Sequence, residues 1–95
     1  MANAESPIRA TILVNTETSV DLDKLAKEMR DGLGESLLEA YPVSGKYDLI
    51  ARLQAPNTEA LREEAKKLRS YHGVKSTITM IEIPEYKTQK SLEHY

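Results

Sequence analysis

The sequence predicts an α+β domain in which a four-stranded antiparallel sheet carries two helices on one face. Three patterns lead there. Two amphipathic runs of helical period are separated by extended runs of period two. The stretch YPVSGKYDLI (41–50) reads as two strands folded back on each other at Ser44-Gly45, and a β-branched run, GVKSTITMIEI (73–83), follows the second helical run.

The first strand is predicted over 8–15, IRATILVN, where Ile8, Ala10, Ile12 and Val14 share one face at period two. A helix follows, because Leu22, Leu25, Ala26, Met29 and Leu33 recur at spacings of three and four. Asp21 is its N-cap, and Val20 is placed to staple onto Leu25. Gly32 and Gly34 end the pattern. SLLEAYPV (36–43) and KYDLIARLQA (46–55) are the strands of the hairpin, closed by a tight turn at Gly45, and Pro42 marks the first of them as an edge. Pro56-Asn57 breaks the second strand, and Asn57 caps a helix whose buried stripe is Leu61, Ala65 and Leu68, continuing to His72. Gly73 suits the stop of that helix. The last strand, 74–83, is halted by Pro84, and the remaining EYKTQKSLEHY shows no period and reads as a flexible or partner-docked tail.

This order, βαββαβ, is the split arrangement called ferredoxin-like. Leu13, Ile50 and Ile81 oppose the main apolar rows of their own strands, so both sheet faces carry hydrophobic residues. A second sheet packed on the first, in a two-fold homodimer, would cover the face that the helices leave open.

Composition removes several classes of function. A chain of 95 residues fits one domain and buries only roughly 60 to 65% of its unfolded surface, so a partner is expected to complete its core. No apolar run is long enough to span a bilayer and MANAESP lacks the regions of a secretory signal, which makes a cytoplasmic setting the expectation, with no membrane partner. The absence of cysteine excludes disulfides and thiolate metal sites, and two histidines far apart in sequence argue against a histidine site. No metal or cofactor is expected. The formal net charge of −2 gives no general attraction to nucleic acid. Charges of both signs over 59–69 read as a solvated helix face on which Glu63 and Lys67 pair.

Tyr41-Pro42-Val43-Ser44-Gly45-Lys46-Tyr47-Asp48, the Asn57 to Arg69 helix, and Gly73-Val74-Lys75-Ser76-Thr77-Ile78-Thr79-Met80-Ile81 together resemble the effector-binding RAM domain of Lrp/AsnC regulators. The resemblance covers roughly residues 8–83, leaving a disordered tail over 1–7 and a C-terminal tail over 84–95. With seven residues before the first strand, the chain resembles a stand-alone RAM domain without the helix-turn-helix of full-length members. One departure is Asp31-Gly32-Leu33-Gly34-Glu35-Ser36-Leu37, which stands where the family has a proline-containing turn. The resemblance implies a dimer joined through its sheets, further assembly to an octamer or decamer, and a small effector, an amino acid, bound between dimers. Full-length Lrp/AsnC regulators are implied as possible partners. The site it implies consists of Gly45, Lys46, Tyr47 and Asp48 with Ser76, Thr77 and Thr79.

Such a site has a plain chemistry. A free amino acid presents an ammonium and a carboxylate, and both need partners once water is removed. Asp48 accepts from the ammonium; the N–H groups of Gly45 to Tyr47 and the hydroxyls of Ser76, Thr77 and Thr79 donate to the carboxylate. Each residue also has a structural reading: Gly45 needs only its turn, Asp48 could instead form an ion pair across the sheet, and the serine and threonines suit a sheet surface. Tyr41 and Tyr47 either wall the pocket or simply pack, and His72 belongs at a helix C-terminus. An amino-acid-responsive regulatory or oligomerisation protein is the expected function. The alternatives are a small dimeric enzyme of the cofactor-free monooxygenase or isomerase type, and an ACT-like structural module. No nucleophile is paired with a base and no acidic pair is spaced for acid-base work, so no catalytic residue is assigned.

Overall fold

In the computed structural model, which describes residues 7–83, the first strand is an inner one. β1 (Ile8–Thr16) pairs antiparallel with β3 (Leu49–Ala55) on one side and with β4 (Val74–Ile81) on the other. β2 (Leu37–Pro42) lies outside β3, giving the order β2-β3-β1-β4. The edge position expected from Pro42 is the observed one: an outermost strand tolerates a residue without an N–H.

Alternation along the inner strands decides where the helices go. Ala10, Ile12 and Val14 of β1 and Leu49, Ala51, Leu53 and Ala55 of β3 all point to one face and are buried. α1 (Leu22–Leu33) lays Leu25, Ala26, Met29 and Leu33 on that face, and α2 (Thr58–Arg69) adds Leu61, Ala65 and Leu68. Both predicted caps are present. Asp21 Oδ1 accepts from the Lys24 N–H at 3.2 Å and Asn57 Oδ1 from the Ala60 N–H at 2.8 Å, each satisfying one of the donors that a helix start leaves free.

Several boundaries differ from expectation for local reasons. Gly32 lies inside α1, which stops at Gly34 with φ +57°, and a single 3-10 turn over Gly34–Ser36 makes the join in place of a proline turn. A Cβ at Gly32 would overlap the Tyr71 hydroxyl, which lies over this turn of α1. That placement raises the Tyr71 pKa, first through burial and then through the nearby Glu28, Glu64 and Asp31 carboxylates. α2 ends at Arg69, so Gly73 is not its stop, and His72 is exposed beyond the helix instead of continuing the buried stripe. Lys67 reaches Glu64 at 3.7 Å, three residues back, and not Glu63. β4 ends at Ile81, two residues before the expected limit. The tails expected over 1–7 and 84–95 lie outside the described residues, apart from Pro7.

The expectation for Ile81 also needs correction. Ile81 pairs with the buried Ala10 and therefore faces the helix layer, while Ile78 and Met80 pair with Leu13 and Thr11 and face the open side. The apolar row of β4 belongs to the open face. Register carries this band onward, since Tyr41 lies opposite Ile50, Ile50 opposite Leu13 and Leu13 opposite Ile78. Ile78 and Met80 are each 47% exposed. The next row holds an ion pair, Arg52 Nη1 to Glu39 Oε2 at 2.7 Å.

Gly73 leads into β4 with φ +98°, its carbonyl accepts from the Glu17 N–H at 2.9 Å, and a Cβ there would stand 2.6 Å from Val20 Cγ2. Both backbone and space are closed to a side chain. Gly73→Ala is expected to lower stability by about 1–3 kcal/mol in urea unfolding, whereas Gly45→Ala, where only the backbone is strained, loses less. Equal losses would show that the Val20 contact contributes nothing.

Candidate functional site

The connection between β2 and β3 runs from Val43 to Asp48 and is not the tight turn expected at Ser44-Gly45. The Val43 N–H donates to the Asp48 carbonyl at 3.0 Å, closing a wider loop whose inside is spanned by residues 44–47. Gly45 has φ +139° and open space where a Cβ would project, so its role is conformational. No backbone acceptor meets the N–H groups of Ser44, Gly45, Lys46 or Tyr47 among the described residues. They form a row of donors open to a ligand or to water.

Asp48 stands just before β3, not inside it, and its partner is neither a lysine nor an arginine. Its backbone N–H donates to the Val14 carbonyl at 2.9 Å. Its Oδ2 accepts from the Thr16 N–H at 2.9 Å and from Thr16 Oγ1 at 3.3 Å. The carboxylate thus ties down the end of β1, where pairing with β3 stops at Val14 and Leu49 and the Thr16 N–H has no ladder acceptor on that side. Oδ1 has no hydrogen bond among the described residues.

The other three predicted residues sit on β4, two strands away, roughly 10 Å across the sheet at the usual strand spacing. Ser76 points to the open face, where the Asn15 amide donates to its Oγ at 3.4 Å. Thr77 and Thr79 point to the helix face, Thr77 half-buried opposite Val14 and Thr79 exposed beside α2. Gly45, Lys46, Tyr47 and Asp48 therefore form one cluster within a single chain, and Ser76, Thr77 and Thr79 stand apart from it on β4, with β1 between. Tyr47 is half-buried next to Asp48, whereas Tyr41 is 39% exposed on the open sheet face and lines nothing at the loop. Thr16 and Asn15 were missed by sequence reasoning. Their roles follow from pairing between residues far apart in the chain, which no local pattern signals.

The residues described carry no group of histidine, cysteine, aspartate and glutamate able to hold a metal ion, and no helix among them is long and apolar enough to cross a membrane. The 43–48 loop, the end of β1 and the sheet face without helices are the candidate binding surfaces among the described residues. The Lrp/AsnC ligand binding domain family matches residues 9–92, and this chain belongs to that family.

Among its relatives, the HTH-type transcriptional regulator FL11 of Pyrococcus abyssi (strain GE5 / Orsay) is 31% identical over 58 residues, 61% of this chain and 38% of that protein. The homocitrate synthase of Sulfolobus acidocaldarius is 30% identical over 74 residues, 78% of this chain but 15% of the enzyme. The chain thus spans well under half the length of these curated relatives. The crystal structure of FFRP-DM1 superimposes with TM-score 0.70 at 27% identity, covering 80% of this chain and 99% of that one. The fold is also that of the transcriptional regulator NMB0573/L-Met complex from Neisseria meningitidis, with TM-score 0.69, 21% identity, and coverage of 92% of this chain and 58% of that one.

Because Asp48 holds Thr16, its removal is not neutral for the fold. Asp48→Ala is expected to lower the unfolding free energy by about 1–2 kcal/mol, since a partly buried N–H loses its acceptor. Asp48→Asn, which keeps an acceptor oxygen, should lose half of that or less. Urea midpoints for both variants check this, and an Ala variant as stable as the parent would remove the capping role.

Proposed function

We propose that this chain is an effector-responsive assembly module that binds a small molecule, an amino acid by its chemistry, and thereby biases which oligomer or which Lrp/AsnC regulator it joins. The observation that carries the reading is the 43–48 loop, where a positive-φ glycine leaves a row of N–H groups without acceptors among the described residues, beside a carboxylate whose Oδ1 has no hydrogen bond among them. Donors for a carboxylate and an acceptor for an ammonium lie within a few residues of each other. The solved relative from Neisseria is named as a complex with L-Met, and this chain shares its fold. In this reading Ser76, Thr77 and Thr79 act from a neighbouring subunit or as sheet surface, since one chain does not gather them around the loop.

The assembly part of the proposal is a face-to-face dimer. The band Tyr41, Ile50, Leu13 and Ile78, with Met80 beside it, is an apolar strip across all four strands on the side without helices. A second copy related by two-fold symmetry covers it with itself. Further contact between dimers, to an octamer or decamer, places effector loops of different dimers near one another. The effector acts by linkage: it stabilises whichever assembly binds it better, by an amount set by that difference in affinity. No bond in the ligand is broken, and the segment shared with homocitrate synthase is too small a part of that enzyme to carry its activity here.

The test is thermal unfolding with light-scattering mass, without ligand and then with each of the common amino acids at millimolar concentration. A selective rise in Tm or a change in mass is expected for one or a few of them, and Asp48→Asn should abolish the response while remaining folded. A response to none, with a higher oligomer already present, would favour a purely structural module. Separately, Ile78→Asp is expected to shift the mass from dimer to monomer by placing a charge in the apolar band. An unchanged dimer would move the interface off the open face.

A further inference from the structure

The outer edge of β4, unpaired among the described residues, and the helix beside it enclose a groove that the 43–48 loop and the open-face dimer do not use. The cavity is about 420 Å³ and lies on the helix side of the sheet. Leu61, Ala65 and Ile81 line it, and Arg62, Lys66 and Arg69 stand along it at intervals of four and three, as one stripe of α2. None of these three cations has an ion pair among the described residues; the pairs there are Arg52 with Glu39 and Lys67 with Glu64. A chain of formal net charge −2 thus concentrates positive charge at one groove.

The backbone at this groove is equally specific. The Glu82 N–H donates to the Arg9 carbonyl at 2.8 Å, which makes Arg9 and Glu82 a hydrogen-bonded pair. Antiparallel ladders alternate bonded and unbonded pairs, so Thr11 with Met80 and Leu13 with Ile78 are also bonded, while Thr77, Thr79 and Ile81 turn their N–H and C=O groups outward. These are the same residues whose side chains face the helix layer. An edge that offers alternating donors and acceptors beside an apolar floor fits a main chain, not a compact small molecule.

We propose that an acidic, extended segment of a partner protein adds to β4 as a fifth strand. Its alternate side chains, pointing to the helix layer, are carboxylates that meet Arg62, Lys66 and Arg69; the side chains between them are apolar and extend the open face beside Ile78 and Met80. A second copy of this chain is a poor occupant. Pairing two β4 edges would bring two identical cation stripes together, and like charges across an edge oppose association. The proposal rests on the β4 edge and the α2 cations, and the groove shares Thr79 with the predicted effector residues.

The experiment is fluorescence anisotropy of the full chain with three labelled peptides: alternating glutamate and valine, the same composition in blocks of two, and alternating glutamine and valine. The alternating acidic peptide should bind, with the other two at least about tenfold weaker, and added salt should weaken it. Arg62→Glu with Lys66→Glu, both on the exposed side of α2, should weaken it about tenfold or more, as the sum of several modest ion pairs. Thr79→Pro removes an outward N–H while leaving the β1 ladder intact, and should weaken binding of the alternating peptide. If that variant does not fold, the comparison of peptides on the native chain decides alone. Equal binding of the blocked peptide would reveal a general polyanion surface and overturn strand addition. Unchanged affinity in the charge-reversed variant, or no binding of any peptide, would overturn the proposal as well.

Discussion

β1 is hydrogen-bonded on both of its edges, and the double pairing constrains everything else in the molecule. Its residues face the two layers in strict alternation, so Ala10, Ile12 and Val14 go to the helix side and Thr11, Leu13 and Asn15 to the other. A slip of one residue against β3 or β4 would exchange these sets and place Ile12 and Val14, which are fully buried, in solvent. The two helices then follow, because only one face of the sheet offers an unbroken apolar surface with short side chains such as Ala10, Ala51 and Ala55, over which helices can pack closely.

The same register produces the features that bear on function. At one end of β1 the ladder with β3 stops at Val14, and the Asp48 carboxylate supplies the acceptor for the Thr16 N–H beyond it. Holding that end of the strand also fixes where the 43–48 loop leaves the sheet. Structural and ligand-binding readings of Asp48 are therefore compatible, one oxygen to each. Across the open face the register aligns residues from four separate strands into one apolar band, and at the outer edge it turns alternate backbone groups of β4 outward, beside the groove that the α2 cations border.

Membership of the Lrp/AsnC ligand binding domain family agrees with this division of labour. A helix layer covers one face of the sheet, and the sheet's end, its other face and its outer edge are uncovered among the described residues. Such surfaces are what a small domain has to offer, because a chain of this size cannot enclose a deep pocket within its own core.

The elements themselves were legible in the sequence. Period two placed β1 and the body of β3, spacings of three and four placed both helices, and Asp21 and Asn57 announced their caps; each is a local pattern, and the physics that reads it is local too. Pro42 correctly marked an edge for the same reason, as a residue with no N–H. The loop was misjudged because a glycine licenses a turn without setting its length, which depends on where Val43 and Asp48 find partners. The separation of Ser76, Thr77 and Thr79 from the loop, the helix-side placement of Ile81, the capping of Thr16 by Asp48, and the groove between α2 and β4 all depend on strand order and register. Those are decided by contacts between distant parts of the chain. Local periodicity defines the strands, the helices and the rows within each, whereas the alignment of rows from different strands comes only with the folded sheet, because neighbours across a sheet are chosen by pairing and not by position along the chain.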